Sequence, residues 1–238
     1  MEIIIILIIC IIALLLVYFA FNISLKKLKG SIKNERIKGL VDKFPENDEI
    51  CKSILKMLKN EKVKIKISEN SRDKTSVYVV LTDSIFIANI KDAYTRIQTM
   101  AHECIHSVQN RKMLLFNFFF TNLYNLYFIV AIILTICRVY KNYYIQISIL
   151  LIIGIVFYAV RSYLENDAMI KAKYLAEDYM KEYNRKQNIC TNEEIEEIAE
   201  EYDRSNKIGI PLYNFILFLK IISKIIIYLI ISFVISII

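Results

Sequence analysis

Met100-Ala101-His102-Glu103-Cys104-Ile105-His106-Ser107-Val108-Gln109 contains both histidines of this 238-residue chain. They stand four apart, with a glutamate directly after the first. On a helix, positions i and i+4 share a face. The two imidazoles therefore sit one turn apart and can hold a single zinc ion, with the Glu103 carboxylate beside it. Two histidines and sixteen glutamates scattered at random over the chain give this HExxH arrangement roughly 1 time in 2,000. The pattern serves zinc chemistry in which the glutamate acts on a zinc-bound water.

Asp92 as a cap predicts a helix from about Ala93 to Asn110. Ile97, Ala101, Cys104, Ile105 and Val108 make its core side. Gln98, His102, His106 and Gln109 make the neighbouring side. Cys104 points about 160° or more from both histidines and reads as a small core residue. It is one of five cysteines (Cys10, Cys51, Cys104, Cys137, Cys190) whose spacing matches neither a zinc cage nor a disulfide framework.

Upstream, Phe44-Pro45-Glu46-Asn47-Asp48 reads as a turn into a helix with Ile50, Ile54, Leu55 and Leu58 at helical spacing. Lys62-Val63-Lys64-Ile65-Lys66-Ile67 alternates, as a strand with one wet face does. Asn70-Ser71-Arg72-Asp73 reads as a turn. Thr75–Leu81 and Ile85–Ile87 are β-branched and aromatic, hence further strand. A strand edge beside an HExxH helix is where many zinc peptidases hold an extended peptide by main-chain pairing.

Outward from this domain the chain is apolar: 56% of all residues are hydrophobic. Four runs carry this, Ile3–Ile23, Met113–Cys137, Tyr143–Val160 and Leu212–Ile238, the last interrupted by Lys220 and Lys224. Each is long enough to cross a bilayer core. For the last, an amphipathic helix lying in the membrane plane is the rival. The first is not a typical cleaved leader: Glu2 stands where a basic cluster belongs and no A-x-A site follows.

Nineteen of the 31 Lys and Arg residues lie between Lys26 and Lys112, and ten more lie from Arg161 onward. The positive-inside rule therefore places 24–112 and 161–211 in the cytoplasm. The net charge of +7 is accounted for by topology and anionic headgroups, and no nucleic-acid module is legible. Five segments follow: an N-terminal anchor (1–23), a cytoplasmic α+β segment with the HExxH helix (24–112), a transmembrane hairpin (113–160), cytoplasmic helices (161–211) and a C-terminal span (212–238). In the fourth, Leu164, Ala168, Ala172, Leu175, Tyr179 and Tyr183 mark the apolar face of a helix over Ser162–Lys186. Thr191 and Glu194 form a capping box for an acidic helix with Ile195, Ile198 and Tyr202 inward, and Gly209 and Pro211 are expected to break the chain before the last run.

A catalytic zinc needs three protein ligands and an open position. With no third histidine, a carboxylate is the first candidate and a cysteine the second. The hairpin returns the chain to the face it left, and the first carboxylate it meets is Glu165, on the apolar side with Ala168 and Ala172. Burying it there is costly without a partner, and a metal would be one. Asp167 is the rival, pointing about 160° from Glu165 on the same helix; Glu177 and Asp178 lie further along.

These residues carry a resemblance. Ala101-His102-Glu103-Cys104-Ile105-His106-Ser107-Val108-Gln109 is similar to the A-H-E-x-x-H-x-x-Q signature of the YugP-type membrane zinc metallopeptidases. Glu165-Asn166-Asp167-Ala168 with Ala172 is similar to that family's E-x-[DN]-A-x-x-x-A segment. Ile105 departs from the glycine usual before the second histidine. The HtpX and CAAX-protease group is more distant, since Met169 stands where it has aspartate. The resemblance implies a gluzincin-like site, with His102, His106 and Glu165 on Zn2+ and Glu103 as general base.

The expected fold is thus a mostly α multi-pass membrane protein with a small α+β zincin-like cytoplasmic domain. The expected activity is hydrolysis of peptide bonds in membrane or juxtamembrane proteins at the cytoplasmic face of a bacterial inner membrane; Ile, Lys and Asn richness points to a bacterial source. Arg161, Tyr158, Tyr163 and Tyr174 are candidates for steadying an oxyanion. Asn117, Thr121 and Asn125 serve either inter-helix hydrogen bonding or a polar track to the zinc. Two alternatives stand: a non-catalytic zinc-binding scaffold or partner-binding protein, which predicts a fourth protein ligand such as Asp167, and a transporter component, which predicts Lys220 and Lys224 opposite carboxylates.

Overall fold

The computed structural model describes residues 2–21, 34–68, 75–88, 90, 92–139 and 142–237. The segment 24–33 and the expected turn at 70–73 lie outside them. Among the described residues the chain forms seven helices and three strands, divided between two compact units. One comprises Met1–Ile23, Phe116–Tyr163 and Pro211–Ile238, and begins with helix α1 (Glu2–Ala20). The other comprises Ser24–Leu115 and Leu164–Ile210.

The second unit holds both histidines. Helix α2 (Glu35–Val41) starts at Asn34, whose side chain accepts from the Ile37 amide, a standard N-cap. Helix α3 (Asn47–Met57) carries Asp48 and Glu49 in its first turn, where the helix dipole favours negative charge. Ile50, Ile54 and Leu55 are buried, as their spacing predicts.

Strands β1 (Lys64–Ile67), β2 (Val77–Val79) and β3 (Ser84–Ile87) form one sheet in the order β1-β3-β2. β3 pairs parallel with β1 and antiparallel with β2. The central strand is the buried one: Ser84, Ile85 and Ile87 have almost no exposure. The alternation in β1 is only half used, because Ile67 is 65% exposed at the strand end.

Helix α4 (Arg96–Val108) carries the HExxH residues. It starts later than the capping logic predicts. Thr95, not Asp92, stands at its N-terminus, and Asp92 is fully exposed near Lys38. The reason is tertiary. Arg96 is 3% exposed and donates to the carbonyls of Val41, Phe44 and Pro45 and to Asn47 Oδ1. Gathering four acceptors around a buried guanidinium offsets its desolvation, and the preceding residues turn to allow it. At the other end the helix stops at Val108, since Asn110 caps the next helix, accepting from the Lys112 and Met113 amides. Val108, expected in the core, is 45% exposed there.

Helix α5 (Arg111–Ile136), helix α6 (Tyr143–Gln187) and helix α7 (Asn192–Ile237) are each long and apolar enough to cross a membrane. The predicted Ser162–Lys186 helix and the preceding run are one helix. The capping box forms: the Glu194 amide donates to Thr191 Oγ1 and the Thr191 amide to the Glu194 carboxylate. The predicted break does not form. α7 continues through Gly209 and Pro211, since a proline removes one backbone bond and the rest of the 46-residue helix keeps its own. In the second unit Ala172, Ala176, Tyr179 and Met180 of α6 share one core with Ile195, Ile198 and Tyr202 of α7, Ile97 and Met100 of α4, and Ile50 and Ile54 of α3.

The first unit is a helix bundle. Helix α1 contributes Cys10 to a core with Tyr124, Leu150, Phe157, Leu217, Ile221 and Tyr228. Polar groups inside it bond from helix to helix, the arrangement that apolar surroundings favour. Thr135 Oγ1 lies 3.0 Å from Tyr228 Oη, and Tyr127 donates to Gln146. Asn125 accepts from Lys224 Nζ at 2.6 Å, with the ammonium 3.6 Å from the Tyr124 ring centroid.

Candidate metal centre

Helix α4 presents His102 and His106 one turn apart, and helix α6 presents Glu165 to them. His102 Nε2 and His106 Nε2 are 3.0 Å apart. Glu165 Oε2 lies 3.3 Å from the first and 3.7 Å from the second. Zinc bonds of about 2.0–2.1 Å in tetrahedral geometry set ligand atoms about 3.3 Å apart. Two imidazole nitrogens and a carboxylate oxygen at this spacing fit such an ion. The three residues form a group close enough to bind a metal ion.

Glu165 and His106 are buried, and His102 is partly so. Ala168 and Ala172, on the Glu165 side of α6, are both fully buried. Residues without bulk there let α6 lie close enough for a short carboxylate to reach α4. Burial by itself lowers His106, but the hydrogen bond and charge of Glu165, helped by Glu103, outweigh it and hold the imidazole above its ordinary value in the metal-free protein.

Glu103 is 6% exposed. Burial pushes its carboxyl above the usual range, against the pull of both histidines. Its Oε2 accepts from the Tyr78 amide at 2.6 Å. β2 is an edge strand whose Val77 and Val79 flank this bond, so the general-base candidate is pinned to the free edge of the sheet. Nothing in the local sequence signals this contact, because Tyr78 is twenty-five residues away and acts through its backbone.

Asp167 does not join the group. Its carboxylate accepts from Gln109 Nε2 and Lys171 Nζ, and these hold it below its ordinary value despite partial burial. Gln109 also donates to the Leu164 carbonyl, while its Oε1 lies 2.8 Å from His106 Nδ1. A turn before His102, Gln98 donates to Asn206 of α7, which donates to the Met169 carbonyl of α6. Amide side chains thus tie α4 to α6 on both sides of Glu165. Cys104 is a core residue as expected, its Sγ 3.5 Å from that of Cys51. Of the oxyanion candidates, Tyr163 and Tyr174 are largely exposed and Arg161 donates to Tyr213 Oη.

Comparisons with models of known protein families, with curated proteins and with solved structures return no match.

Proposed function

We propose that this chain is a membrane-embedded zinc metallopeptidase that hydrolyses peptide bonds of membrane or juxtamembrane proteins. The observation carrying this reading is the convergence of His102 Nε2, His106 Nε2 and Glu165 Oε2, with Glu103 next in sequence and buried alongside. His102, His106 and Glu165 would hold the ion. Zinc in that position supplies Lewis acidity, lowering the pKa of water toward neutrality and polarising a carbonyl. Glu103 takes the proton of the attacking water and passes it to the leaving amine. Its raised affinity for a proton suits a group that must take one up and pass it on. The hydrogen bond from Tyr78 orients the carboxylate without neutralising it.

The resemblance to YugP-type metallopeptidases supports the same assignment, with the ligand set and general base falling on the same residues. The non-catalytic scaffold reading needs a closed coordination sphere. Asp167, its expected fourth ligand, is instead bonded to Gln109 and Lys171. The transporter reading needs carboxylates opposite the intramembrane lysines. Residues 116–163 and 211–238 contain no Asp or Glu, and Lys224 meets an amide oxygen and aromatic rings. The fourth apolar run packs its Leu217, Ile221, Ile225 and Tyr228 into the bundle core, which supports a span over an in-plane helix. The charge pattern supports a site on the cytoplasmic face of a bacterial inner membrane.

The test is metal content of detergent-purified protein, wild type beside Glu103→Ala and Glu165→Ala. About one zinc per chain, kept in Glu103→Ala and much weakened in Glu165→Ala, is expected. A wild type that takes up no zinc when it is supplied overturns the proposal.

A further inference from the structure

We infer that Gln109 and Asp167 form a relay that sets the tautomer of His106 and docks the Glu165 helix, making both positioning residues for the metal. The inference rests on the metal reading above and assigns a role to two residues that contribute no ligand atom.

An amide side chain has one acceptor end and one donor end. In Gln109 the donor end is committed twice, to Asp167 Oδ2 at 2.8 Å and to the Leu164 carbonyl at 2.9 Å. Both partners accept only, so the amide cannot turn over without facing two oxygens with a third. Its Oε1 therefore faces His106 Nδ1, 2.8 Å away, and accepts that nitrogen's proton. The proton on Nδ1 leaves Nε2 with its lone pair, and Nε2 is the atom that meets His102 Nε2 and Glu165 Oε2. The order of cause runs from the Asp167 charge, through the amide orientation, to the ring nitrogen left free for the ion. The Leu164 bond adds a second effect. Leu164 immediately precedes Glu165, so the amide that orients one ligand also fixes the backbone beside another.

The experiment measures zinc affinity of the full-length protein in detergent by chelator competition, with the melting temperature of the metal-free protein as a fold control. Gln109→Met keeps length and removes both ends of the amide. It is expected to weaken zinc binding about ten- to a hundredfold. Asp167→Ala is expected to cost more affinity when Gln109 is present than in the Gln109→Met background, because its effect passes through the amide. Unchanged affinity in Gln109→Met, or equal Asp167→Ala losses in both backgrounds, overturns the relay while leaving the zinc site standing. A wild type that binds no zinc overturns both. Should Gln109→Met fail to fold, the nitrogen-15 spectrum of wild-type zinc-loaded protein decides, since only two histidine rings contribute. A slowly exchanging proton on His106 Nδ1 is expected, and its absence overturns the relay.

Discussion

His106 meets opposing demands. Burial disfavours its charged form, Glu165 favours it, and a zinc ion requires the neutral ring. Because the net effect in the metal-free protein raises its pKa, the folded state holds this proton more tightly than the unfolded chain. That contribution to stability is complete below the ordinary value of 6.5 and disappears as pH rises through the raised one. Glu103, also raised, acts with the same sign. Zinc binding runs the other way, since it must displace the proton. Between about pH 6 and about pH 8, the melting temperature of metal-free protein should fall while zinc affinity rises. Thermal melts with and without zinc across that range check this; parallel trends would contradict it. Cys104, by contrast, is readable from helix angle alone, since a residue on the far side of the histidines has only the core to meet.

Helices show where local rules suffice and where they yield. The Thr191–Glu194 box forms because both partners lie three residues apart on one turn, and the distant Lys43 ammonium that also bonds the Glu194 carboxylate leaves it intact. Asp92 loses its capping role because Arg96 needs the 41–47 loop, and those carbonyls lie some fifty residues away. Gly154, inside α6, marks a close helix approach that hydropathy does not reveal. A Cβ there would stand 2.7 Å from Ile221 Cγ2 and 3.0 Å from Tyr124 Oη. Alanine favours an isolated helix by about 1 kcal/mol over glycine, yet Gly154→Ala should lower the melting temperature in detergent. Gly154→Leu should cost more, about 1–3 kcal/mol of overpacking. A Gly154→Ala protein that melts higher than wild type would refute the close approach.

At the scale of the whole molecule, the basic segments argue that the chain keeps its histidine-bearing unit on one side of the membrane and the 138–142 loop on the other. Cys137 stands at that loop and is exposed, while the other four cysteines are buried. A membrane-impermeant maleimide applied to the outer face of spheroplasts should label one site, and Cys137→Ser should abolish it. Labelling confined to inside-out vesicles would reverse the topology. That expected orientation rests on charge asymmetry, segment by segment. The apolar runs are readable from sequence, and so are the two histidines, whose common face follows from helix pitch over four residues. The return of the chain brings Glu165 toward that face, but the distances that make a tetrahedral fit are tertiary. So are the Tyr78 hold on Glu103, the Arg96 clasp and the Asp167–Gln109–His106 relay. Each joins elements whose separation in the chain ranges from twenty-five to almost sixty residues. Periodicity tells which face a side chain occupies; only packing tells which distant atom waits there.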